Sequence, residues 1–314
     1  MVRRKPRSVI TTVVATVIVA AVAGLLLVGC GDSVGNADPG SGGSGSGNVI
    51  ATTTIWADVV NEVACRKVAV PSLIPAGADA HTFEPSVQAA DRLLGADLVF
   101  TNGLGLEGDL KDTISAAKDS GVEVVELAPG MEPIGEDPHV WMDPDRVAMA
   151  VPVIEKHLAG IRDLGVTRSE LARCAGDYVS RLHELSDSMS SEMASLPASA
   201  RKLVTNHENL GYFADRFDFQ VVGALIPSTS TLGESDPRTL DELSATVKSA
   251  GVRSIFVEAT GSHRLANTLA ERLGSGIEVQ ELFAESLGTK SQGADTYIDM
   301  MSVNANRIAK SLSR

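Results

Sequence analysis

Between Thr167 and Leu196 the apolar residues Leu171, Cys174, Tyr178, Leu182, Leu185, Met189, Met193 and Leu196 recur every three or four positions. That period predicts one α-helix, about 40 Å long at 1.5 Å per residue. A helix of this length exceeds what a crossover within one α/β layer needs, so it is expected to run along the whole molecule and join two halves. Both flanks carry the alternation that builds α/β layers with functional loops at the carboxyl ends of parallel strands.

On the amino-terminal side the β-branched run 49–56 reads as a first strand, 58–64 as helix and Val68–Ile74 as a second strand. Ser86 caps a predicted helix reaching Gly95, 96–101 is a third strand, 110–120 a helix and 122–127 a fourth strand. Strands are expected on the other side at 202–205, 220–225, 254–257 and 277–282, with helices at 212–216, 238–250, 264–273 and 294–312. Helix is also expected over 145–164, with Pro152 interrupting it early.

Residues 1–29 have the plan of a secretory signal, with Arg3, Arg4, Lys5 and Arg7 ahead of an apolar run. The ending Leu27-Val28-Gly29-Cys30 resembles the bacterial lipobox, which implies that Cys30 becomes the lipidated first residue; an uncleaved membrane anchor is the alternative. On either reading the basic residues stay cytoplasmic and everything after Cys30 lies outside. Residues 30–47 are small and polar and read as a flexible tether, about 20 to 25 Å end to end as a random coil. The remaining boundaries expected are a first lobe over 48–145, a helical connection over 146–198 and a second lobe over 199–314.

The formal net charge of −13 becomes −17 once the four basic residues of the signal are removed. An acidic body lacks the basic footprint that nucleic acid requires. In an oxidising compartment Cys65 and Cys174 remain as a pair, for which a disulfide is the expectation and two separate buried thiols the alternative. Gly103-Leu104-Gly105-Leu106-Glu107-Gly108 has the spacing of a phosphate cradle, but nothing around it follows the nucleotide-binding manner, so it reads as a turn with unusual backbone angles.

The segment Asp137-Pro138-His139-Val140-Trp141-Met142-Asp143-Pro144 holds a histidine between prolines, and Asp143-Pro144 is a helix opening. Taken alone, the pinned His139 is compatible with a metal ligand, a catalytic base or a packed corner. Two more loop histidines stand at strand ends, His81 in Ala-Asp-Ala-His-Thr-Phe-Glu-Pro and His207 in Thr-Asn-His-Glu-Asn-Leu-Gly-Tyr-Phe. His157 and His183 read as surface residues.

Together with Ala96-Asp97-Leu98-Val99-Phe100-Thr101-Asn102-Gly103, Glu258 and Glu285-Ser286-Leu287-Gly288, these segments resemble the substrate-binding proteins of bacterial zinc and manganese ABC importers of the ZnuA and TroA type. The likeness spans residues 49–314. It implies two similar parallel-sheet α/β lobes joined by one long rigid helix, with a metal ion held in the cleft between them. Carried over position by position, the ligands are His81 and His139 from the first lobe and His207 and Glu285 from the second. Glu84, Asp137 and Glu208 are candidate acceptors for the spare imidazole N–H groups.

The family usually has aspartate where Glu285 stands and proline where Ala80 stands, and many zinc members carry a histidine-rich loop where this chain runs from Glu107 to Asp137. Glu285 is compatible with bidentate binding or with water as the fourth ligand. Three imidazole nitrogens and one carboxylate favour Zn2+ by ligand softness, with Mn2+ (or iron) as the alternative. The resemblance further implies a monomer, lipid-anchored to the outer face of the cytoplasmic membrane, that passes its ion to an ABC permease; an added adhesin role fits the same fold. A zinc hydrolase is the rival class. The helical His-Glu-x-x-His spacing is absent, and the three histidines lie 58 and 68 residues apart. With Glu285 closing the site no substrate position remains, so no enzymatic activity is expected.

Overall fold

The computed structural model describes residues 47–313, apart from 234, 235 and 275. The signal segment, Cys30 and all but the end of the tether lie outside the described residues.

The first strand is short. β1 covers only Val49–Ala51, because Thr53 turns the chain and accepts the Trp56 amide as the cap of α1 (Thr54–Val63). A capping hydroxyl overrides the β preference of the threonine run. β2 (Leu98–Thr101) lies parallel to β1, and β3 (Glu123–Glu126) parallel to β2, with α2 (Val87–Leu94) and α3 (Lys111–Asp119) in the crossovers. The strand expected at Val68–Ile74 does not form. Ser72 alone bridges to Ala51, and Pro71, which has no N–H to give, offers only its carbonyl to the Ala51 amide. This segment is an irregular edge on the side of β1 away from β2.

A single 3-10 turn, Val140–Met142, follows His139 and leads into α4 (Pro144–Leu158), capped by Asp143 through the Asp145 amide. The helix continues through Pro152 and stops at Leu158, short of the expected 164. α5 (Arg168–Ala194) is the long helix, opened by a reciprocal capping box between Thr167 and Glu170. It packs against α1, α4 and two later helices, α6 (Gly211–Phe217) and α9 (Tyr297–Leu312), and so touches both halves. Cys174 on α5 is bridged to Cys65 just beyond α1, with the Cα atoms 5.5 Å apart.

The second sheet is also all parallel, built from β4 (Lys202–His207), β5 (Gln220–Ile226), β6 (Ser254–Glu258) and β7 (Glu278–Leu282) in the order β5-β4-β6-β7. α7 (Pro237–Ala250) and α8 (Arg264–Leu273) complete it. In the second half the first strand lies inside, and the chain visits one side of it and then crosses to the other; β1 is flanked in the same sequence by the irregular 68–74 segment and then by β2. The two halves therefore share a topology and place their switch points at β1 and β4, where ligand loops gather in α/β sheets.

One continuous apolar core starts under the first sheet, follows α1, α4, α5 and α9, and reaches the second sheet through Leu203, Phe213, Phe256 and Leu282. Alternation along the strands sends Val204, Ile255 and Val257 to the opposite face, where a smaller, separate cluster joins Leu240, Leu243, Val247 and Leu269. Among the described residues no helix is long and apolar enough to cross a membrane.

Candidate metal centre

His207 is the last residue of β4, His81 and His139 stand in loops of the first half, and Glu285 follows β7. All four are buried, and one ligand atom from each lies within 4.8 Å of those of the others. His139 Nε2 is 3.4 Å from His81 Nε2, 3.3 Å from His207 Nε2 and 3.2 Å from Glu285 Oε1. His207 Nε2 is 3.3 Å from the same oxygen, and His81 Nε2 is 4.0 Å from Glu285 Oε2.

Three of the four are held at the backbone by carboxylates. Asp79 Oδ1 accepts the His81 amide at 2.9 Å, and Asp137 Oδ1 accepts both the His139 amide at 2.9 Å and its ring Nδ1–H at 2.7 Å. Glu258 Oε2 accepts the amides of Ala284 and Glu285 at 2.9 and 3.0 Å. Across the cleft, the Trp141 indole N–H donates to the Ala284 carbonyl at 2.7 Å, so the loop of His139 fastens the loop of Glu285.

Beneath the first-half ligands lies the glycine turn. The Glu107 carboxylate is buried and accepts the Thr52 hydroxyl at 2.7 Å and the amides of Asn102 and Gly103 at 2.6 and 3.1 Å. Gly103 takes a positive φ of 83°, as a turn with unusual angles requires. Two amides at the turn are thus committed to an internal carboxylate rather than left open to a phosphate. Asn102 then donates to the Pro138 carbonyl at 2.9 Å, bracing the residue before His139.

Of the three proposed acceptors, only Asp137 meets an imidazole. Glu208 is exposed, because the residue after an inward-facing histidine at a strand end points to the opposite side. Among the described residues His207 Nδ1 has no hydrogen-bond partner, and neither has Glu285 Oε2. Glu84 is exposed as well, at the mouth of its helix. Asp79, Trp141, Glu107 and the holding role of Glu258 had no local sequence signal, since each acts through partners distant in the chain or through backbone atoms.

The electrostatics are those of a site poised for a cation. Burial works against a charge on His139, but the Glu285 and Asp137 carboxylates outweigh it and push the imidazolium up to about 9. Burial lowers His81 to about 4, with the attraction of Glu285 partly opposing and the other two imidazoles adding to the fall. Burial disfavours the Glu285 carboxylate too, yet His139 and His207 hold it well below the usual carboxylate range. Behind it, burial and the charge of Glu285 raise Glu258 to about 8. On the second-half side, a cavity of about 360 Å³ lined by Asp79, Ile226, Thr231, Thr260 and Leu265 reaches His207 and Glu285.

Two parallel α/β halves around a buried nest of three imidazoles and a carboxylate define a non-enzymatic solute-binding protein for a divalent metal ion, the substrate-binding component of an ABC importer. The chain belongs to the ZnuA family, described as zinc-uptake complex component A periplasmic, which matches residues 49–311. It is similar to the manganese-binding lipoprotein MntA of Halalkalibacterium halodurans, with 29% identity over 92% of this chain and 95% of that protein. It is also similar to the zinc-binding protein TroA of Treponema pallidum, with 30% identity over 85% of this chain and 89% of that protein. The solved structure of the periplasmic zinc-binding protein TroA superposes with a TM-score of 0.79 at 26% identity, covering 86% of this chain and 100% of that one.

Proposed function

We propose that this chain captures zinc outside the cytoplasmic membrane and delivers it to a permease in that membrane. The observation that supports zinc is the spacing of the ligand atoms. A tetrahedron with metal–nitrogen distances of 2.0 to 2.1 Å has edges of about 3.3 to 3.4 Å. Four of the distances here run from 3.2 to 3.4 Å. His81, His139, His207 and Glu285 are then the four ligands, and Asp137 holds the His139 tautomer. Signal segment 1–29, lipidated Cys30, tether 30–47, lobes 48–145 and 199–314 and connection 146–198 complete the proposed organisation, with the monomer tethered to the outer face of the membrane.

Manganese is the second reading. Glu285 Oε2 has no hydrogen-bond partner among the described residues, and a second carboxylate oxygen suits an ion that takes more oxygen ligands. Elemental analysis of protein purified without added metal, followed by zinc against manganese competition, separates the two. The alanine variants of His81, His139 and His207 should each weaken zinc binding by at least about 100-fold, since losing a residue that only orients a ligand already costs about 10- to 100-fold. His183→Ala, at an exposed position on α5, should leave it unchanged. Wild-type affinity in the three ligand variants would end the proposal.

A further inference from the structure

Tyr212 lies on α6, in the second half, five residues beyond the ligand His207. Its side chain is fully buried, and its hydroxyl leaves its own half of the molecule. The O–H donates to the Asp137 carbonyl at 2.7 Å and the oxygen accepts the Ile134 amide at 2.9 Å. Asp137 is the residue whose carboxylate orients His139, through the ring Nδ1–H at 2.7 Å. A hydroxyl that gives its one proton and receives one is fully spent on the 134–137 loop.

The residue before it completes the seat. A Cβ on Gly211 would stand 2.7 Å from Asp137 Oδ2, closer than side-chain carbons approach oxygen, so glycine is what admits the carboxylate. The Arg146 guanidinium lies over the Tyr212 ring, 4.9 Å from its centre, and closes the other side. Through this contact the orientation of His139 is registered against the helix that begins just after His207. The two rings belong to opposite halves, and their Nε2 atoms are 3.3 Å apart.

We propose that Gly211 and Tyr212 form a cross-lobe positioning element that sets the His139–His207 separation, and with it the preference for a small tetrahedral ion over a larger one. This rests on the reading that the three histidines and Glu285 bind metal. Without the hydroxyl, the Asp137 carbonyl and Ile134 amide lose their partner, the loop relaxes and the short ligand edge opens. A tetrahedral ion depends on that edge more than an ion that fills its sphere with additional oxygens.

The test compares Tyr212→Phe and Gly211→Ala with Tyr178→Phe, a buried hydroxyl that has no partner among the described residues. Zinc and manganese affinities are measured by competition, and Co2+ is the spectroscopic probe of tetrahedral geometry. Tyr212→Phe and Gly211→Ala should each lower zinc affinity about 10-fold or more, the range for residues that orient ligands, and manganese affinity by less. The zinc-to-manganese ratio falls, and the visible absorption of the Co2+ complex weakens or shifts. Tyr178→Phe should change neither. An unchanged ratio and Co2+ spectrum in the folded variants, or an equal loss for both metals, would overturn the proposal. Failure of the wild-type protein to bind either metal would instead remove the reading on which it rests.

Discussion

His139 meets an incoming ion as an imidazolium, and metal takes only the neutral ring. Its proton therefore competes with the cation up to about pH 9, and apparent zinc affinity should rise about tenfold per pH unit between pH 7 and that limit. His81, lowered to about 4, is already neutral there and adds nothing to the slope. Calorimetric titration in buffers of different ionisation enthalpy should count about one proton released per zinc at pH 7 to 8; a count of zero would contradict the charge assigned to His139. The four residues that the fold gathers were legible in the sequence because each stands in a distinctive segment, in a loop or at the end of a strand, and the neighbours that hold them were not. Glu208 is adjacent to His207 in the chain and faces away from it, whereas Glu107 reaches Thr52 across 55 residues. Glu107→Ala would leave two buried amides and a hydroxyl without their acceptor, so it should cost about 3 kcal/mol in denaturant unfolding.

At the scale of elements, the long helix was the clearest reading, since its apolar period persists through 27 residues and a capping box marks its start. Short strands were less legible. The threonines after Ala51 look like strand by propensity, yet Thr53 serves as a cap, and the 68–74 run contains the one residue that cannot donate to a ladder. α5 is joined to the first half by packing on α1 and also covalently. The Cys65–Cys174 bridge closes a span of 109 residues, and constraining a loop on that order in the unfolded chain stabilises by about 2 to 5 kcal/mol. Replacing both cysteines by serine should lower the unfolding free energy by that amount, read from denaturant midpoints under conditions where wild-type protein stays oxidised.

Over the whole molecule, the apolar core is divided in two. The core that runs from the first sheet through α5 and α9 to the inner side of the second sheet is one body, while α7 and α8 pack on a separate apolar cluster. Native-state hydrogen exchange should find α7 and α8 opening at lower free energy than α1, α4, α5 and α9. Zinc at 100 times its dissociation constant should raise global stability by about 2.7 kcal/mol, visible as an upward shift of the melting temperature. The closing helix has a consequence for the order in which the chain can fold. α9 packs on α1 and α5, and the Tyr297 amide donates to Asp58 on α1 at 2.8 Å, so residues that come last complete the half that comes first. A chain delivered amino end first cannot seal that half until its final helix arrives, and a truncation after Thr296 should leave it open to protease although every first-half residue is present.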